Sequence, residues 1–60
     1  LLELKHYEDA IGLFTQVIKI NPYIGEAYLN RGIAREKTGK TEEAKKDFGR
    51  YLQLNRIDRN

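Results

Sequence analysis

Apolar residues recur along the chain at helical spacing, in three blocks separated by turn chemistry. In the first, Tyr7, Ala10, Ile11, Phe14, Val17 and Ile18 fall on the i, i+3, i+4, i+7 stripe of an amphipathic helix, a rhythm that strand alternation cannot produce. Pro22, behind Asn21, marks the stop, so the spacing predicts a helix over 7–20. Glu8 and Asp9 would sit in its first turn, where acids favour the positive end of the helix dipole. A second helix is predicted over 24–38, closed by Gly39 as a left-handed residue. The third is predicted over 42–54, with Thr41 as N-cap, Glu42 and Glu43 in the first turn, and Ala44, Phe48, Tyr51 and Leu52 as the buried stripe. Glu42 and Lys46 form an i, i+4 pair in the favourable orientation. Leu1, Leu2 and Leu4 read as the end of an earlier helix, with Lys5 and His6 as a turn. Gly12 and Gly49 interrupt helix interiors, and the sequence gives no reason for either. Short connections between three such helices imply antiparallel neighbours, so the fold class is all-α, built of antiparallel helix hairpins.

Length limits what such helices can do alone. Sixty residues bury only about 60% of the surface that the unfolded chain exposes, and domains this small usually add disulfides, a metal or a partner chain. With no Cys and one His, the first two routes are closed and association with more protein remains. Absence of Cys fits a reducing compartment, and the expected location is the cytoplasm. Eleven Lys plus Arg against nine Asp plus Glu give a net charge of +2 from a mixed, solvated surface, not a phosphate-binding one. Lys45, Lys46 and the scattered Arg residues are interleaved with acids, so no nucleic acid is expected as partner. No apolar run approaches the roughly 20 residues of a membrane span, and Leu1 and Leu2 are too brief for a signal-peptide core. The chain opens on Leu-Leu-Glu-Leu without an initiator Met and reads as a piece of a longer protein.

Candidate chemistry is sparse. The sequence holds neither Ser nor Cys, His6 has no His or Cys neighbour at metal-ligand spacing, and the acidic pairs lie where helices begin. There is no Gly-rich phosphate loop. No catalytic residue, cofactor or metal is expected.

Sliding the chain against itself by 34 residues pairs Glu8 with Glu42, Ala10 with Ala44, Phe14 with Phe48 and Asn21 with Asn55. Ile18/Leu52, Ile20/Leu54 and Asp9/Glu43 match conservatively, and a period of 34 is that of a two-helix repeat. On these residues the chain resembles the tetratricopeptide-repeat family. Tyr28, Gly32, Ala44 and Phe48 fit the family pattern in one complete repeat, and Ala10, Phe14 and Pro22 fit it in the preceding half-repeat. The division expected is therefore the end of one repeat with its second helix at 1–24 and one complete helix-turn-helix repeat at 25–58. In that pattern Gly32 and Ala44 would permit close helix contact, while Tyr28 and Phe48 would fill the space around it. Three positions depart. Arg31 replaces the usual Leu, Arg35 the usual large residue and Arg56 the usual Pro, and the first two are expected to cover apolar surface with their stems while their heads stay in water.

The resemblance implies a right-handed superhelical array in which the first helix of each pair lines a concave, ligand-binding surface. At about 100° per residue, Ile24, Ala27, Tyr28, Arg31, Ala34 and Arg35 gather on one side of the second helix, with Leu29 and Ile33 roughly opposite. Glu26, Asn30 and Lys37 flank that apolar pair, so Glu26, Leu29, Asn30, Ile33 and Lys37 are the candidate peptide-binding residues. Leu29 and Ile33 stand where carboxylate-clamping members carry basic or polar residues, which argues against that mode. The resulting reading is a non-catalytic interaction scaffold for a peptide or protein partner. The second reading is a structural spacer or self-association segment with no separate ligand. Stacks of this kind need roughly three repeats, so the 60-residue segment alone is expected to self-associate or to fold only in part, with Leu1, Leu2 and Leu4 bare at one end.

Overall fold

A computed structural model of the chain describes the backbone over residues 4–57 and side chains over 5–56. Three helices follow one another: α1 (Leu4–Ile20), α2 (Gly25–Lys37) and α3 (Thr41–Ile57), with no strand among the described residues. Helix α2 lies between the other two and packs against both, while α1 and α3 do not approach each other closely. The chain is all-α and folds as antiparallel hairpins, as the short connections at 21–24 and 38–40 require.

The starts and stops have local causes. Asn21 N–H donates the last bond of α1 to the Val17 carbonyl at 2.9 Å, and Pro22, with no N–H to give, cannot extend the ladder. Asn21 Oδ1 then accepts from Tyr23 N–H at 3.1 Å, so the side chain shapes the turn. Helix α2 ends in a Schellman motif: Gly39 N–H donates to the Glu36 carbonyl at 3.1 Å and Lys40 N–H to the Arg35 carbonyl at 2.8 Å. Gly39 makes this possible with φ 85°, the left-handed conformation expected of it.

Several local expectations are corrected. Lys5 and His6 form no turn: α1 runs back to Leu4, because that position extends the apolar register by one step before Tyr7 and nothing between them breaks a helix. Glu8 and Asp9 consequently fall beyond the first turn of α1, and Glu8 instead accepts from Lys40 Nζ at 2.9 Å. Thr41 is the first residue of α3, not its cap, since Ala44 N–H already donates to the Lys40 carbonyl at 2.9 Å. Glu42 approaches Lys45 at 3.7 Å, not Lys46. Leu52 is 55% exposed, because it points to the flank of α3 away from α2, and Asp47 takes the buried place in the stripe. Leu1 and Leu2 lie outside the described residues.

The buried core is thin: Ala27, Tyr28, Ala34 and Ala44 are its apolar members, with Gly32 beside them. Phe14 and Phe48, expected inside, are half-buried. Small residues let the helices approach closely. A Cβ placed on Gly32 would meet Phe48 Cε1 at 2.6 Å and Cδ1 at 2.9 Å, so the absence of a side chain there sets the α2–α3 distance. Gly12 and Gly49 are different, since nothing lies within 4 Å of a Cβ at either. Replacing each with Ala should therefore stabilise the fold by roughly 1 kcal/mol through helix propensity, whereas Gly39→Ala should cost roughly 1–2 kcal/mol through its left-handed backbone. Urea midpoints of the three variants check this, and the signs must differ.

Candidate functional site

Helix α2 carries two unlike faces, and the inner one is sealed by charge. Arg31 grips Asp47 of α3 with two bonds, Nη2 to Oδ1 at 2.7 Å and Nε to Oδ2 at 2.9 Å. One turn along, Arg35 Nη1 donates to Asp47 Oδ2 at 2.9 Å. On the other side Arg31 Nη1 reaches Thr15 Oγ1 of α1 at 3.3 Å, and that hydroxyl donates to the Ile11 carbonyl at 2.7 Å. One arginine thus ties all three helices together. Asp47 is 3% exposed, and the side chains of Arg31 and Arg35 are 13% and 21% exposed. The heads expected in water are instead engaged inside, because Asp47 lies between them on the buried side of α3. Arg35 Nε is buried with no partner among the described residues.

Tyr28 completes this face. Its hydroxyl donates to the Pro22 carbonyl at 3.0 Å, which pins the α1–α2 turn to α2. Arg31 and Arg50 place their guanidinium carbons 5.7 and 5.9 Å from its ring centroid, within cation–π range.

With the inner face closed, the outer arc of α2 is what remains. Glu26, Asn30 and Lys37 are exposed, Ile33 is 40% exposed and Leu29 is half-buried. At about 100° per residue all five lie within one arc roughly 100° wide, on a single rigid helix. Helix α1 and helix α3 contribute none of them. Glu26 and Lys37 enter no ion pair among the described residues, so both charges face outward unspent. Among the described residues no group of three or more His, Cys, Asp or Glu is placed to hold a metal. No described helix is long and apolar enough to cross a membrane.

The geometry is that of helix pairs with small residues at their crossings, and the sequence comparison agrees. A tetratricopeptide-repeat family model matches residues 13–46, more than half of the chain. The chain belongs to the tetratricopeptide-repeat family. It is 39% identical over 54 residues to sperm-associated antigen 1 of Rattus norvegicus, covering 90% of this chain and 6% of that protein. Tetratricopeptide repeat protein 6 of Homo sapiens is 36% identical over 55 residues, covering 87% of this chain and 11% of its own length. The DnaJ protein P58IPK homolog B of Oryza sativa subsp. japonica is 30% identical over 54 residues, covering 90% and 12%. The chain therefore spans only a small part of the length of the curated relatives it matches. No solved structure matches it. Tetratricopeptide repeats are protein-interaction scaffolds and are generally non-catalytic.

Sequence reasoning missed the Arg31–Asp47–Arg35 network. The signal was there: Asp47 stands between Ala44 and Phe48 on the buried stripe, and Arg31 and Arg35 are one turn apart on the inner side of α2. An acid on a buried stripe opposite two inward cations is best read as an ion pair.

Proposed function

We propose that the chain is a non-catalytic tetratricopeptide module that binds a peptide or protein partner on the outer arc of α2, through Leu29 and Ile33 as apolar anchors with Glu26, Asn30 and Lys37 at their edges. On this reading α1 closes one repeat, and α2 with α3 makes the next. The observation that carries it is the exposed Ile33 with the half-buried Leu29, one turn apart on a helix whose opposite face is locked by hydrogen bonds to the other two helices. A rigid helix with an open apolar strip and polar edges loses little conformational entropy when a partner docks.

The test is a pulldown with the protein, wild type against Leu29→Glu/Ile33→Glu. Both positions lie outside the inner face, so the helical circular dichroism should be unchanged while partner recovery falls by at least about tenfold. Loss of self-assembly in place of a partner would favour the spacer reading. Unaltered recovery would remove this face from the account.

A further inference from the structure

A concavity adjoins the outer arc at the amino end of α2. It measures about 510 Å³ and lies between Tyr23, Ile24 and Glu26 on one wall and Tyr51, Leu54 and Asn55 of α3 on the other. Its volume falls in the range of roughly 300–1,000 Å³ typical of ligand pockets. Gly25 also lines it. Its backbone is not in the left-handed region, and a Cβ added there would meet Tyr51 Cδ1 at 3.6 Å and Leu54 Cβ at 3.7 Å, ordinary contact distances. Neither conformation nor close approach therefore requires glycine at this position. What its missing side chain leaves is space.

The chemistry of the walls is one-sided. Two tyrosines and one glutamate line the cavity, and among the described residues no lining residue is basic. Glu26 is exposed and has no ion-pair partner among the described residues. Tyr23 is 71% exposed; its backbone N–H donates to Asn21 Oδ1, and the turn is further pinned by the Tyr28 hydroxyl bond to the Pro22 carbonyl. The partial positive charge at the start of α2 is offset by the partial negative charge at the end of α3 across the cavity, so Glu26 sets the sign. Aromatic faces beside a lone carboxylate recognise a cation, and a planar guanidinium can stack on a ring while pairing with the carboxylate.

We propose that this cavity receives an arginine side chain of the bound partner, in preference to lysine, between Tyr23 and Tyr51 and against Glu26. The inference rests on the peptide-binding reading for where the arginine comes from. Glu26 is shared by the cavity and the arc, and it stands about 4.5 Å along the helix axis from Leu29. A partner segment would then carry its basic residue next to its apolar anchors.

The test needs no known partner. Nα-acetyl-arginine N-methylamide, the lysine counterpart and the neutral citrulline counterpart are each titrated into the 15N-labelled protein under conditions where circular dichroism shows its helices formed. The arginine probe should shift the amides of Gly25, Glu26, Tyr51 and Leu54 saturably, and citrulline should bind about tenfold more weakly. Glu26→Gln should remove that preference, and Gly25→Val should block the cavity while circular dichroism shows the helices intact. Equal affinity for citrulline or lysine, indifference to Glu26→Gln, or shifts elsewhere would overturn the proposal. So would concentration-dependent broadening of these amides without probe, which would make a second copy the occupant. The pulldown with Leu29→Glu/Ile33→Glu reports on the α2 arc and this titration on the cavity, so failure of the one and failure of the other are read separately.

Discussion

Replacing Asp47 with Ala should abolish cooperative unfolding at 25 °C under conditions where the wild-type protein folds. The substitution strands two guanidinium groups whose side chains are 13% and 21% exposed, and breaking a buried pair in this way costs about 3–5 kcal/mol. A core of this size rarely supplies more than about 3–5 kcal/mol in total, so little stability would be left. The loss should come from unpaired charge, not from lost volume. Asp47→Leu combined with Arg31→Met and Arg35→Leu should therefore recover wild-type stability to within about 1 kcal/mol or exceed it. Urea unfolding followed by circular dichroism distinguishes the two. A folded Asp47→Ala variant within about 1 kcal/mol of wild type would mean that the network contributes nothing net, as many exposed ion pairs do.

Phe48→Ala should cost about 3 kcal/mol, the low end of the range for burying and then deleting a phenyl ring, because Phe48 is half-buried. Its partner in the contact is Gly32, where an added Cβ would stand 2.6 Å from the ring. Gly32→Ala alone should be destabilising by roughly 1–3 kcal/mol from overpacking, less the gain of about 1 kcal/mol in helix propensity. In the Phe48→Ala background the same methyl enters vacated space, so Gly32→Ala should become neutral or stabilising. The double-mutant cycle measures that coupling, expected at about 1–3 kcal/mol. Additive effects would show that the ring does not seat against Gly32.

The helices were legible in the sequence because their causes are local. Tyr7, Ile11, Phe14 and Ile18 spell a period, Pro22 forbids a backbone bond, and Gly39 admits a left-handed turn, each without help from the rest of the chain. The 34-residue offset then brought Ala10 over Ala44 and Phe14 over Phe48, which is enough to recognise the repeat. What escaped depends on three elements meeting. Arg31 and Arg35 look like solvent-facing stems until α3 brings Asp47 between them, and Thr15 is an unremarked helix residue until Arg31 reaches it. The outer arc was legible as a pattern, since it needs only the geometry of α2. The cavity at its end was not, because Gly25 and Tyr51 are 26 residues apart and only the α2–α3 crossing makes them neighbours.

On the proposed reading, α2 presents the surface through which this module meets its partner. The most direct measurement is a 15N–1H map of the chain with a peptide selected from a random library on the immobilised wild-type protein. Shifts centred on Glu26, Leu29, Asn30, Ile33 and Lys37, saturating with a single affinity, are the expected result. Shifts confined to the outer side of α1, around Leu13, Gln16 and Ile20, would contradict it.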